Sequence, residues 1–183
     1  SWIHLLLGSS AGIFLIVISL RRMFACRISY NNRYTVKLEY EGRRVELTGM
    51  LDTGNGLYTV IGRKPVVLVN QYAIEPILSE QVVVFLRDNN PNVWLANLDK
   101  CMDLAWLSRI QVIPYHGIGS KSMLLAFRPD GFMVSGSFGC IETNDVVIGI
   151  YSGTLSGDGA YAVLLHPQVM NGLSKKEGVS ICA

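Results

Sequence analysis

Residues 50–58 read Met50-Leu51-Asp52-Thr53-Gly54-Asn55-Gly56-Leu57-Tyr58, an apolar strand end that runs straight into an acid, a small hydroxyl residue and a glycine. A carboxylate delivered by the end of a buried strand is costly to hold unless neighbouring groups hydrogen-bond it. Gly54 lets backbone amides approach that carboxylate, and the Thr53 hydroxyl is placed to lock the loop. Asp52 is therefore the candidate functional residue, supported by Thr53, Gly54 and Asn55. The bare Asp-Thr-Gly tripeptide is also an ordinary turn, arising by average residue usage in roughly one chain in twenty-five of this length. Its weight depends on its surroundings.

Upstream, YTVKLEY (34–40) and RRVELTGML (43–51) alternate apolar and polar residues about Glu41-Gly42, the pattern of a tight hairpin. Downstream, PVVLVN (65–70) predicts a further strand. Between Tyr72 and Asp88 the period of two is lost, and Ser79-Glu80 followed by VVVFLRD predicts a helix start and body. Asn89 to Ala105 reads as irregular. RIQVIPY, SMLLAFRP, FMVSG and DVVIGIY are short β-rich runs punctuated by Gly, Pro, Asn and Asp, and AYAVLLHPQVM predicts a strand and then a short helix. Residues 34–183 are expected to form a mainly β domain with one helical insertion. No fixed-period repeat or low-complexity tract interrupts it.

The front of the chain is different. Trp2 to Leu20 reads WIHLLLGSSAGIFLIVISL with no Asp, Glu, Lys or Arg, and as a helix it would cover about 29 Å, close to a bilayer's hydrocarbon core. Residues 1–20 are expected to be a transmembrane helix and residues 21–33 a basic juxtamembrane linker. Arg21, Arg22, Arg27 and Arg33 place the following domain on the cytoplasmic side by the positive-inside tendency. Because the chain opens on Ser1, this helix is expected to be the last span of a longer membrane region. A cleaved signal peptide fits worse, since no basic segment precedes the apolar run.

Composition narrows the function classes. Charged residues make up 16% of the chain, against roughly 25% in an average soluble domain, and the net charge is only +2. That argues against a nucleic-acid-binding protein. Cys26, Cys101, Cys140 and Cys182 form no Cys-x-x-Cys pair, which removes the zinc-ribbon spacing and predicts reduced thiols. Gly117-Ile118-Gly119-Ser120-Lys121-Ser122 lacks the glycines of a phosphate loop and predicts a hairpin turn. Ser135-Gly136-Ser137 lacks the glycine that a nucleophile elbow requires two residues before the serine. His4, His116 and His166 share no metal-ligand spacing. His166 before Pro167 is expected to pack at a helix start, and Val82 to Leu86 to lie in the core.

Val146-Val147-Ile148-Gly149 supplies the apolar-apolar-glycine strand that accompanies the Asp-Thr-Gly loop in aspartic proteases, and the chain resembles the retroviral-type family of single-Asp subunits. It holds no second Asp-Thr-Gly or Asp-Ser-Gly, which excludes a two-lobed pepsin-like monomer. The separation of 95 residues from Gly54 to Gly149 exceeds the spacing of these two elements in a minimal retroviral subunit. LDTGNGLY (51–58), KPVVLVN, RIQVIPYHGIG (109–119), LLAFRPD (124–130), VVIGIYSGTLS (146–156) and YAVLLHPQVM (161–170) instead resemble, in order, the sporulation sigma-E factor-processing peptidases of endospore-forming bacteria.

That resemblance implies a retroviral-type aspartic protease domain with a closed, orthogonal β-barrel-like fold. It also implies an aspartic endopeptidase that works as a homodimer, with Asp52 from each copy, no metal and no cofactor, and Gly149 as a further supporting residue. Two carboxylates about 3 Å apart cannot both ionise, so such a pair holds one proton and divides the roles of acid and base. The implied substrate is the sigma-E precursor, cut near its N-terminus. The implied location is the cell membrane facing the mother-cell cytoplasm, with a secreted forespore signalling protein acting on the membrane region. Two alternatives stand beside this reading: a non-catalytic, membrane-tethered β module that binds or signals through a sheet edge, and the same protease with another substrate.

Overall fold

The computed structural model describes residues 14, 16, 17, 33–117, 120–137 and 139–175. The chain divides into two units, Ser1–Arg33 and Tyr34–Ala183. In the first, Phe14, Ile16 and Val17 are helical with exposed side chains. The rest of the expected span at 1–20, and the linker at 21–33 up to Arg33, lie outside the described residues, as does His4. Among the described residues no helix is long and apolar enough to cross a membrane.

The second unit is built on one mixed sheet. Its strands are β1 (Arg33–Tyr40), β2 (Arg43–Leu51), β3 (Val66–Asn70), β4 (Ile110–Gly117), β5 (Ser120–Phe127), β6 (Gly131–Gly136), β7 (Gly139–Thr143), β8 (Val147–Tyr151) and β9 (Val163–Leu165). They run in the order β4-β5-β8-β3-β9-β2-β1-β6-β7. Helices α1 (Gln71–Ile74), α2 (Glu80–Asp88) and α3 (Leu104–Leu107), with three 3-10 segments, fill the connection from β3 to β4, and α4 (Pro167–Lys175) follows β9.

Local chemistry accounts for most of these elements. In β1, Val36, Leu38 and Tyr40 are buried while Lys37 is exposed, the alternation of a strand with one face on the core. Glu41 and Gly42 both take positive φ, 48° and 74°, as the two-residue turn into β2 requires. The strained Glu41 is secured by its N–H, which donates to Asp130 Oδ2 at 2.7 Å. At α2 the Ser79 hydroxyl accepts from the Val82 N–H, with Glu80 in the first turn and Arg87 in the last, which suits the helix dipole. Val82, Phe85 and Leu86 of that helix are buried in the core, as expected, whereas Val84 in the same run is exposed. The insertion between α2 and β4 is not wholly irregular: Asn90 and Asp103 cap a 3-10 turn and α3.

The sheet corrects the expected closed barrel. It is open, ending on β4 at one side and β7 at the other. The β4–β5 hairpin pairs through eight registers, yet β5 meets β8 only at Ala126↔Gly149 and Phe127↔Ile148. The hairpin therefore leaves the sheet after two residues of shared ladder instead of turning back to join β7. Two parallel pairs, β2 with β9 and β3 with β8, add crossovers that a simple antiparallel meander lacks. The expectation of reduced thiols also changes, because Cys140 is disulfide-bonded; Cys101 is free and buried.

Gly117 and Ser120 are register partners at the β4–β5 hairpin, where a turn was expected. The Ser135-Gly136 pair closes β6, where a Cβ on Gly136 would press on the Tyr34 ring. Gly149 sits in the middle of β8, beside Leu68 and Ala126. A Cβ there would lie 2.6 Å from Leu124 Cδ2, 3.0 Å from Leu68 Cδ2 and 3.1 Å from Val66 Cγ1. Three neighbours on two flanking strands would have to yield at once. Gly149→Ala should therefore lower unfolding stability by about 1–3 kcal/mol through overpacking. Urea denaturation would read this as a lower midpoint at unchanged slope; an unchanged midpoint would contradict it.

Candidate active site

β2 delivers Asp52 one residue beyond its last paired position. Gly49, Met50 and Leu51 run parallel to Val163, Leu164 and Leu165 of β9. The Asp52 N–H continues the ladder by donating to the Leu165 carbonyl at 3.1 Å. Gly49 permits the close approach at this seam, where a Cβ would lie 2.8 Å from Val36 Cγ2 and 3.4 Å from Leu165 Cδ1.

The chain then folds back on the carboxylate. Gly54 N–H donates to Asp52 Oδ1 at 2.9 Å, and Asn55 N–H donates to the Asp52 carbonyl at 3.1 Å. Gly54 is suited to this approach, since a Cβ on it would stand 3.3 Å from Oδ1. Asp52 is half-buried, while Thr53 and Gly54 are exposed. The site thus opens outward, with a single carboxylate at its floor.

Asn55 has a clear structural role. It is buried, its Nδ2 donates to the Val66 carbonyl at 3.0 Å, and its Oδ1 accepts the Leu57 N–H at 3.0 Å. Val66 N–H in turn donates to the Leu57 carbonyl. These bonds sew the Asp52 loop to β3. The lock expected of Thr53 is made by Asn55, because the Thr53 side chain takes part in none of these hydrogen bonds. Beyond the loop, Thr59 closes a tight turn: its hydroxyl donates to the Ile61 carbonyl at 2.7 Å and accepts the Lys64 N–H at 2.9 Å.

Gly149 is not beside Asp52. Strands β3 and β9 lie between β8 and β2, and the connection from Gly149 to the loop runs through Val66, which touches both.

His166 is the residue that sequence reasoning set aside. It follows Leu165 directly, so it leaves β9 where Asp52 leaves β2. The ring is 2% exposed, and its Nδ1 accepts the Gln168 N–H at 3.0 Å at the start of α4. The helix-start packing expected of it is present. Its Nε2, however, is buried without a hydrogen-bond partner among the described residues. The Tyr58 ring, on the far arm of the Asp52 loop, packs edge-on against it at 4.6 Å, and the Arg63 guanidinium lies 5.2 Å from the Tyr58 centroid. Burial pushes the imidazole below its ordinary value, and the Asp52 charge opposes that shift. A signal for this pairing exists in the sequence, where Met50-Leu51-Asp52 and Leu164-Leu165-His166 both end an apolar strand on a polar residue. Only the parallel register shows that the two ends meet.

The described residues hold no group of three or more His, Cys, Asp or Glu arranged for a metal ion. The side chain of His116, in β4, lies outside the described residues.

The family described as Peptidase U4, sporulation factor SpoIIGA, matches residues 1–169. Curated relatives include the sporulation sigma-E factor-processing peptidase of Bacillus subtilis (strain 168), 27% identical over 150 residues, which are 81% of this chain and 48% of that protein. The sporulation sigma-E factor-processing peptidase of Priestia megaterium is 25% identical over 171 residues, 93% of this chain and 54% of that protein. The chain thus spans about half the length of these two relatives. No solved structure matches it.

The loop's attachment to β3 can be tested apart from any activity. Asn55→Ala leaves the Val66 carbonyl and the Leu57 N–H without these partners and should cost about 1–3 kcal/mol of stability. Hydrogen exchange at the Leu57 amide should accelerate by more than exchange at β1 amides; equal effects at both would contradict the assignment.

Proposed function

The chain belongs to the sporulation sigma-E factor-processing peptidase family, and from that premise we propose that it is an aspartic endopeptidase whose catalytic residue is Asp52. It would act as a homodimer on the sigma-E precursor, removing an N-terminal pro-sequence. The observation that carries this reading is the Asp52 loop itself. A strand end presents one carboxylate, a backbone N–H from Gly54 fixes one of its oxygens, and Thr53 and Gly54 beside it face solvent. Such a site is chemically half complete, and a second copy of the chain is the simplest source of the other half.

In the paired site the two Asp52 carboxylates share one proton. The ionised partner takes a proton from a water placed between them, and that water attacks the peptide carbonyl. The protonated partner gives its proton to the carbonyl oxygen; as the tetrahedral species collapses, the partner that took the water's proton delivers it to the leaving nitrogen, and the first recovers its own from the hydroxyl that becomes the product carbonyl. Gly54 and Asn55 act by holding Asp52 in place.

Residues 1–20 would anchor the protease, as the last span of a longer membrane region, to the cell membrane. Arg21, Arg22, Arg27 and Arg33 would orient residues 34–183 toward the mother-cell cytoplasm. Tethering confines copies to a surface and raises their effective concentration, so a secreted forespore signal acting on the membrane region could shift a weak monomer–dimer equilibrium.

Asp52→Asn keeps the side chain's shape and its acceptor for Gly54 N–H but removes the titrating group. Co-expressed with the sigma-E precursor, the variant should lose cleavage by about a hundredfold or more while its thermal unfolding stays near that of the parent. Full processing by a folded Asp52→Asn chain would remove Asp52 from the catalytic role.

A further inference from the structure

The start of α4 uses a histidine where this chain elsewhere uses asparagine. Asn90 precedes Pro91 as His166 precedes Pro167, and Asn90 Oδ1 accepts the N–H two residues on, from Asn92, at 3.0 Å. Asn70 does the same for Tyr72 at 3.0 Å. His166 Nδ1 makes the equivalent bond with Gln168 N–H at 3.0 Å. The cap alone therefore does not call for an imidazole. What the histidine adds is a second nitrogen, and that nitrogen is buried without a hydrogen-bond partner among the described residues.

Its protonation follows from the cap. Because Nδ1 accepts a hydrogen bond, the neutral ring carries its proton on Nε2, which is then a donor. Buried groups of this kind are uncommon in a folded protein; among the described residues Tyr40 Oη and Trp106 Nε1 are also buried without a partner, but of the three only His166 directly follows the register partner of Leu51. The neighbour of opposite character is Asp52. The two residues follow the register pair Leu51↔Leu165 on adjacent parallel strands, which run about 4.8 Å apart. Asp52 Oδ1 is taken by Gly54 N–H, and its other oxygen has no hydrogen-bond partner among the described residues. A buried donor without a partner among the described residues and a carboxylate oxygen open to solvent thus stand at matching strand ends.

We infer that His166 is a positioning residue for Asp52, its Nε2–H being the donor that holds the free carboxylate oxygen in the assembled site. The Tyr58 ring braces the imidazole from the other arm of the loop. With Gly54 on one oxygen and His166 on the other, rotation of the carboxylate is stopped, and its face is set toward the partner copy. This inference rests on the reading of Asp52 as the catalytic acid. The groups around the imidazole are few: Asp52 is the charge that acts on it, Tyr58 carries Arg63 5.2 Å from its ring, the three residues of β9 are apolar, and the first turn of α4 holds no acid.

Two substitutions separate positioning from capping. His166→Asn keeps an acceptor for Gln168 N–H but its shorter amide no longer places an N–H where Nε2 lies; His166→Gln keeps an N–H at the reach of Nε2. In the full chain, with the sigma-E precursor as substrate, His166→Asn should lower kcat by about 10–100-fold, leave KM nearly unchanged and displace the pH profile of kcat. His166→Gln should recover most of the loss. Nitrogen-detected NMR gives a readout independent of turnover: in Asp52→Asn the His166 imidazole should titrate at lower pH than in the parent, because an attracting charge is gone. A His166→Asn chain with parental kcat and pH profile, alongside an inactive Asp52→Asn, overturns the role of His166 and leaves that of Asp52 standing. Cleavage by Asp52→Asn overturns both. If His166→Asn fails to fold, the NMR comparison decides, and an imidazole titration indifferent to Asp52→Asn overturns the inference.

Discussion

Three parallel register pairs between β2 and β9, extended by the bond from Asp52 N–H to the Leu165 carbonyl, determine where the candidate chemistry of this chain is located. β9 is only three residues long and is gripped on both sides, parallel to β2 and antiparallel to β3. Val163 and Leu165 are fully buried, so the short strand is held by packing as much as by its ladder. Gly49 allows that packing to close. Remove β9 and Asp52 loses its backbone anchor, His166 loses its position, and α4 loses its starting point.

The loop that carries Asp52 is rigid for a different reason. Asn55 joins it to β3, and β3 pairs with β8, in which Gly149 admits Leu68, Leu124 and Val66 at close range. Gly149 is thus linked to the loop only at a distance, through a chain of contacts across the sheet. Asp52 is anchored along two routes, one through β9 and one through β3, while its carboxylate remains half-exposed.

Much of this was legible in the chain. The β1–β2 hairpin at Glu41-Gly42, the strand at 66–70, the Ser79-capped helix and the Asp52 loop all carry local signals: alternation, turn residues and a capping hydroxyl. Strand β7, five residues long with mixed burial, offers no such pattern. Strand order and openness are not local properties. Whether β5 follows β8 for two residues or for all five depends on packing that no period records, and the family resemblance pointed to a closed barrel. The same limit hid His166. Its cap was readable from the following proline, but its meeting with Asp52 depends on the pairing of strands more than a hundred residues apart. The role of Asn55 was invisible for the same reason, since its partner Val66 lies on another strand.

Pairing of two Asp52 carboxylates is the central claim, and subunit mixing tests it most directly. Parent chain and Asp52→Asn are co-expressed in equal amounts at constant total protein, and the rate of sigma-E precursor cleavage is measured. If an active site needs Asp52 from both copies of a symmetric dimer, random pairing leaves about a quarter of the parental rate. A rate near half would mean that each chain acts alone, and would contradict the paired site.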